Sequence, residues 1–172
     1  NKQAERDEAA ALIEAGGFGN VKLEAFSGNW YVYPQLVEWT VPQLTRIGMD
    51  ITVNILDRGT LLPKLSSGDY QISSYYYGFG FPEPDIMLGS YFLTGGSRNW
   101  TGFSDPFIDK LFVEQSSELD PQKRIKLVRE AEDYLLDVMP IAPIGMPYGD
   151  SLTWAHFKGW DQGLGGFFNQ RY

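Results

Sequence analysis

Two carboxylic acids that stand two residues apart, Glu83 and Asp85, are the first groups in the sequence that could do chemistry. They flank Pro84 just after a predicted strand, and paired carboxylates serve acid–base catalysis or metal binding where they converge. The same spacing also suits a turn in which the acids cap neighbouring N–H groups. Both interpretations stay open, although no set of oxygen ligands matches a calcium-binding loop.

Other catalytic and cofactor motifs are absent from the sequence. His156 is the only histidine, cysteine is absent, and no Gly-x-Ser-x-Gly motif supplies a serine nucleophile. We therefore interpret His156 as a structural or surface residue. Gly16, Gly17 and Gly19 follow a predicted helix and precede a strand, the reverse of the order that binds nucleotide phosphates. The sequence predicts no cofactor, no metal site and no enzymatic activity.

Residues 75–85 form the most informative segment, Tyr-Tyr-Tyr-Gly-Phe-Gly-Phe-Pro-Glu-Pro-Asp. This segment stands at the carboxyl end of a predicted parallel strand, where open α/β sheets bind their ligands. Its two glycines let a ligand approach the backbone, and Tyr77 and Phe79 offer flat apolar contact. The alternative is that these rings fill the core beneath the loop.

The composition excludes several classes of partner. The chain has 172 residues and a formal net charge of −8, and its lysines and arginines are dispersed, so neither nucleic acid nor an anionic membrane surface is an expected partner. No apolar stretch approaches the roughly 20 residues that a membrane span needs. The length and the 43% hydrophobic content predict one domain over residues 1–172.

The elements that must position these residues alternate between helix and strand. Hydrophobic periodicity predicts a first helix that ends at Gly16, strands over residues 21–25, 51–55 and 70–77, and helices over residues 34–48 and 60–67 between them. Because parallel strands need crossovers of this length, the predicted fold is α/β, with a largely parallel sheet flanked by helices.

Two further helices are predicted in the second half of the chain. Asp105-Pro106 and Asp120-Pro121 each match an N-cap followed by proline in the first turn. The second of these helices carries an apolar stripe that predicts its buried face: Ile125, Val128, Ala131, Leu135 and Met139.

Three passages resemble segments of one protein family. Tyr33-Pro34-Gln35-Leu36 with residues 44–51 is similar to the family's proline-led helix and the strand after it. Gly68-Asp69-Tyr70, followed by residues 77–85, is similar to its Gly-Asp-Tyr/Phe-Asp strand and Tyr-Pro-Asp-Pro loop. Residues 99–106 and 120–124 are similar to its Asn-Tyr-Ser-Gly-Tyr-Ser-Asn-Pro segment and following helix. In this order, the passages resemble extracellular solute-binding protein family 5, the peptide-, nickel- and oligosaccharide-binding components of ABC transporters.

The resemblance implies a periplasmic-binding-protein-like (type II) lobe. Residues 1–172 would be the C-terminal ligand-binding lobe of a larger, two-lobed protein that closes on its solute like a hinged trap. The implied function is capture of a small solute, a peptide or an oligosaccharide, for an ABC permease. The implied partners are that solute, the missing N-terminal lobe and the permease, and the implied location is periplasmic or extracellular, with or without a lipid anchor.

The family's loop implies four ligand-binding residues, Tyr77, Phe79, Gly80 and Phe81. Gly80 stands where peptide-binding relatives have an aspartate that holds the ligand's amino terminus, because a buried ammonium needs a compensating charge. Without that acid, a ligand held by stacking and dispersed hydrogen bonds, such as an oligosaccharide, is favoured. Peptides remain the alternative.

Two residues outside this loop complete the predicted site. Arg58 stands where many relatives have a tryptophan after an acidic residue, and here the acidic residue is Asp57. Trp30 follows the first predicted strand, and it either lines the same cleft or packs in a core or interface.

Two other functions remain open on the sequence. The first is a fragment of an α/β hydrolase or glycosidase that uses Glu83 and Asp85. The second is a signalling receptor or chaperone-like module on the same scaffold, which would dock to a sensor and not to a permease.

Overall fold

The computed structural model describes residues 2–19, 21–76, 83–145, 154 and 156. Contacts within the chain group it into two compact units, Asn1–Tyr77 and Gly78–Tyr172. The prediction of a single domain over residues 1–172 stays a prediction.

The first unit is built on a three-stranded parallel sheet. Its elements are α1 (Lys2–Ala15), β1 (Lys22–Gly28), α2 (Tyr33–Thr45), β2 (Asp50–Leu56), α3 (Arg58–Ser66) and β3 (Ile72–Ser73). The strands lie in the order β2-β1-β3, and β1 is parallel to both neighbours. The register of the longer pair runs from Lys22 opposite Asp50 to Gly28 opposite Leu56. The described strands confirm the predicted parallel sheet with helical crossovers.

The central strand β1 carries the core of this unit. Its last four residues, 25–28, are all buried, as is typical of a strand covered on both faces. Leu61 and Leu65, one turn apart on α3, are fully buried, and Val37 of α2 is buried as well. Apolar burial by α2 and α3 therefore fixes β1 at the centre of the sheet.

The third strand is shorter than the predicted range of 70–77. Only Ile72 and Ser73 pair with β1, opposite Ala25 and Phe26. Ser74 N still donates to Phe26 O at 3.2 Å, and no ladder pairing follows among the described residues beyond it. The chain leaves the sheet at this point, and Tyr75 and Tyr76 therefore lie at the edge where the strands end.

The second unit is helical in its described residues. Its elements are α4 (Pro84–Met87), a π-helical turn (Leu88–Phe92), α5 (Pro106–Ser117) and α6 (Pro121–Val138). Four buried residues form its core: Leu88, Ile108, Leu111 and Ala131. They come from three of these four elements, so the core is formed by side chains that are distant in the sequence.

The predicted N-caps of α5 and α6 are confirmed. The Asp105 carboxylate accepts a hydrogen bond from Phe107 N at 2.8 Å. The Asp120 carboxylate accepts from Gln122 N at 2.8 Å and from Lys123 N at 3.3 Å. Each carboxylate satisfies backbone donors that a helix leaves without partners at its start.

The buried face of α6 differs in part from the predicted stripe. The residues of α6 that belong to or pack on the core are Leu127, Ala131, Tyr134 and Leu135. The prediction is right at Ala131 and Leu135 and wrong at Ile125 and Met139, which are exposed. The observed face follows the helical spacing i, i+4, i+7 and i+8, whereas the predicted stripe began two residues too early.

None of the helices in the described ranges has both the length and the apolar character that a membrane crossing requires. The described residues also contain no group of three histidine, aspartate or glutamate side chains placed to hold a metal ion.

Candidate functional site

The candidate site lies where the three parallel strands of the first unit end. Because parallel strands have their carboxyl ends at one edge, the residues after β1, β2 and β3 are neighbours there. These are residues 29–33, 57–58 and 74–76. Asn29 N donates to Leu56 O at 2.9 Å, which holds the first two of these segments together.

An aromatic cluster occupies this edge and is centred on Tyr33. The buried ring of Tyr33 stacks on Tyr75 with 5.3 Å between ring centroids. Trp30 meets the same ring edge-on at 5.0 Å. Trp30 also lies over Gly28, where a Cβ atom would stand 2.5 Å from the indole, so a side chain at this position would force the indole to move. The cluster is a packed platform beneath the strand ends.

The Tyr33 hydroxyl is held in its neutral form. Burial is the largest cause, and together with the electrostatic effect and hydrogen bond of Tyr75 it raises the pKa of Tyr33 to about 12. A backbone hydrogen bond at Tyr76 and the positive charge of Arg58 act in the opposite direction on this pKa. The phenol therefore remains a neutral hydrogen-bonding group at any physiological pH.

Arg58 places a positive charge beside this cluster. It is the exposed first residue of α3. The carboxylate of its neighbour Asp57 accepts hydrogen bonds from Gly59 N at 2.8 Å and from the Thr60 hydroxyl at 2.7 Å. The Thr60 hydroxyl is the largest cause that lowers the pKa of Asp57. Within the described ranges no carboxylate lies at ion-pair distance from Arg58, and the residue is exposed.

Two of the six predicted site residues fall within the described part of the chain. Arg58 follows β2 and Trp30 follows β1, so both lie at the same sheet edge, and their role in binding stays a prediction. Trp30 packs against Gly28 and Tyr33, so its ring contributes to the platform. The other four predictions, Tyr77, Phe79, Gly80 and Phe81, lie outside the described residues.

Four tyrosines of the edge were missed by the sequence-based selection of site residues. Tyr33 and Tyr75 form the stack, and Tyr31 and Tyr76 lie 5.5 Å apart between ring centroids at an interplanar angle of 65°. The run of three tyrosines at the end of the predicted third strand, residues 75–77, contained the signal. Only its last member, Tyr77, was among the predicted site residues.

The carboxylates of Glu83 and Asp85 converge on one arginine of α6. The Arg124 guanidinium lies 3.0 Å from Glu83 and 3.6 Å from Asp85. The buried amide of Gln115 donates to Asp85 and accepts from Arg124 Nε at 3.2 Å. Glu83 makes no side-chain cap at the start of α4. The pair is thus neither a capping turn nor a free acid–base pair, but part of an ion-pair network within the second unit.

His156 is exposed and stacks on Trp154, with 6.4 Å between ring centroids. This position agrees with the prediction of a surface residue. The ring is one of two described side chains in the last 27 residues of the chain.

No model of a known protein family matches the chain. Two curated proteins of Bacillus subtilis are similar to it in sequence. The oligopeptide-binding protein OppA is 33% identical over 98 residues, and the dipeptide-binding protein DppE is 26% identical over 98 residues. Each match covers 57% of this chain and 18% of the relative, so the chain spans less than a fifth of the length of these proteins.

The fold is similar to that of solved binding proteins. The murein tripeptide binding protein MppA of Escherichia coli superposes with a TM-score of 0.76 at 21% identity, over 84% of this chain and 29% of that one. This likeness confirms the predicted fold class, a periplasmic-binding-protein-like lobe with a parallel sheet flanked by helices. The sequence likeness to OppA and DppE confirms the predicted resemblance.

Proposed function

We propose, because the chain is related to the extracellular solute-binding proteins of family 5, that it is the C-terminal ligand-binding lobe of a two-lobed protein. That protein captures a small solute between its lobes and delivers it to an ABC permease. The relatives that match in sequence are named as oligopeptide- and dipeptide-binding proteins, which supports a binding role and not a catalytic one.

One observation indicates where on the molecule the solute would bind. A packed aromatic cluster and an exposed arginine charge meet at the carboxyl edge of the parallel sheet. Open α/β sheets bind ligands outside this edge, and aromatic faces with a few polar groups are typical of solute sites. The edge supplies contact area and hydrogen bonds, which is what reversible capture requires.

We further propose Tyr77, Phe79, Gly80 and Phe81 as ligand-binding residues, together with Arg58 and Trp30. The first four are proposed from the family resemblance alone, since they lie outside the described residues. Because Gly80 supplies no carboxylate, a ligand ammonium gains no charge partner at that position. The proposed solute is a peptide or oligosaccharide held by stacking and dispersed hydrogen bonds.

The proposed partners follow from the same premise. They are the solute, an N-terminal lobe of the same protein that supplies the opposite wall, and the permease that receives the solute. The proposed location is the periplasm or the outer face of the cell, with or without a lipid anchor.

Mass spectrometry of small molecules released from the intact protein tests this proposal. We expect a peptide or oligosaccharide to co-purify, since a closed two-lobed trap retains its solute. Calorimetry with the identified solute should then give saturable binding. An intact protein that carries no solute and binds none of a broad panel of peptides and oligosaccharides would remove the basis for the proposal.

A further inference from the structure

Tyr31 has a backbone conformation that an aromatic residue rarely adopts. Its φ of 56° lies in the left-handed region, which is strained for a residue with a Cβ atom. Such strain is found where the surroundings use the resulting side-chain position. Tyr31 follows β1 at the carboxyl edge of the sheet, so the strained residue lies at the candidate site.

The ring of Tyr31 is largely exposed despite this backbone strain. The residue is 63% exposed, and its partner Tyr76 is 38% exposed. Their rings meet edge to face, 5.5 Å apart and 65° from parallel, and so form the two sides of an open corner. An exposed aromatic corner does little for the stability of the unit that carries it.

The corner rests on the buried part of the aromatic cluster. Tyr33 is buried and stacks on Tyr75, which directly precedes Tyr76 in the chain. Tyr33 also interacts with the backbone of Tyr76. The base of the corner is therefore fixed by packing, which reduces the entropy that a ligand would lose by ordering it.

Arg58 supplies a positive charge at the same sheet edge as this corner, since it follows β2 as Tyr31 follows β1. Its guanidinium is close enough to Tyr33 to affect the ionisation of that hydroxyl. A planar cation of this kind binds a carboxylate or another oxygen acceptor through two N–H groups. The same edge of the sheet thus offers an aromatic surface and a group that can bind an anion.

We propose that Tyr31 and Tyr76 form a subsite for a ring of the solute, with Arg58 binding an anionic or hydrogen-bond-accepting group beside that ring. This inference rests on the proposed solute-binding function and adds the chemical class of the solute. The ring is either an aromatic side chain of a peptide or a sugar ring, since both stack on tyrosine.

Tyr31→Gly is the sharpest test, because glycine removes the ring and relieves the strain at a positive φ. In the intact protein we expect the melting temperature to stay unchanged or to rise. We expect the affinity for a ring-bearing solute to fall about tenfold, the range of a lost aromatic contact. A fall in melting temperature would overturn the subsite, because it would mean that the ring stabilises the fold.

The probes are the tripeptides Ala-Phe-Ala and Ala-Leu-Ala, the trisaccharide maltotriose, and the solute that co-purifies. Tyr31→Gly and Tyr76→Ala should weaken binding of Ala-Phe-Ala or maltotriose and leave Ala-Leu-Ala unchanged. Arg58→Gln should weaken a tripeptide with a free carboxylate more than its amide. Phe18→Ala is the matched control, since Phe18 is 62% exposed but precedes β1 at the opposite end of the strand.

The outcomes separate this inference from the proposed function. An intact protein with no solute of any kind contradicts the proposed function. A protein that binds solute equally well with and without the Tyr31 and Tyr76 rings, or whose co-purified solute lacks a ring, keeps the proposed function and overturns the subsite.

Discussion

At the scale of the residue, the surroundings of Tyr33 determine the protonation state of its hydroxyl. Burial and Tyr75 raise its pKa to about 12, so the phenol cannot act as a base near neutral pH. Arg58 places a positive charge at the same sheet edge and affects the ionisation of this hydroxyl. Such a set of groups can orient and hold a solute without exchanging protons with it.

The Asp105 carboxylate leads to a prediction about how stability depends on pH. Its carboxylate accepts a hydrogen bond from the Tyr134 hydroxyl at 2.7 Å, the largest cause that lowers the pKa of Asp105, and one from Phe107 N. A carboxylate with a lowered folded-state pKa contributes stability above its unfolded value, about 3.9, and loses it as the pH falls through the folded value. We expect Tyr134→Phe to weaken the loss of stability on acidification, as measured by urea unfolding of the chain between neutral and strongly acidic pH.

Other carboxylates also titrate in this range, so the comparison is between variant and wild type. Tyr31→Phe is the control, because it removes a hydroxyl from the first unit and leaves Asp105 untouched. Identical pH profiles for Tyr134→Phe and wild type would contradict the assigned role of the Tyr134 hydroxyl.

Arg124 acts at the scale of the element, because it joins α6 to the start of α4 and to α5. Its guanidinium binds Glu83 and Asp85, and its Nε donates to the buried amide of Gln115. Arg124→Met keeps an unbranched side chain about as long as the aliphatic part of arginine, but it leaves the Gln115 oxygen without this donor. We expect a loss of about 1–3 kcal/mol in the free energy of unfolding, measured with urea.

Arg129→Met is the matched control, since Arg129 is an exposed arginine on the same helix. Its effect should stay within about 0.5 kcal/mol. Equal effects of the two substitutions would indicate that the network around Arg124 contributes no specific stability.

Local signals made most elements predictable from the sequence. The Asp-Pro pairs at Asp105 and Asp120 identified two helix starts, because capping depends on neighbouring residues only. The end of β3 was not predictable, since it depends on where pairing with β1 stops. The contact of Arg124 with Glu83, 41 residues away, has no local signal either.

The candidate site also has features that the sequence predicts and features that it does not. The position at the carboxyl edge followed from the alternation of strands and helices. The corner of Tyr31 and Tyr76 did not, because nothing in a tyrosine side chain signals a positive φ. Strain of this kind is set by the surrounding structure, and only the coordinates reveal it.

At the scale of the whole molecule, the proposed function makes the sheet edge one wall of a binding site. Tyr31 and Arg58 are exposed, so a solute resting on them keeps its other face in water. Binding gains roughly 25 cal/mol for each Å² of apolar surface removed from water, and an open wall removes less than a closed cleft. The region of each sequence relative that aligns with this chain is 18% of that relative's length.

The isolated chain should therefore bind the solute of the intact protein at least about 100-fold more weakly, which corresponds to about 2.8 kcal/mol of lost contact. Calorimetry with the co-purified solute measures both affinities, and circular dichroism verifies that the chain is folded. Tyr31→Gly in the isolated chain shows whether any residual binding occurs at the sheet edge. Submicromolar affinity of the chain alone would contradict the prediction, because one open wall would then suffice to hold the solute and no opposing lobe would be needed.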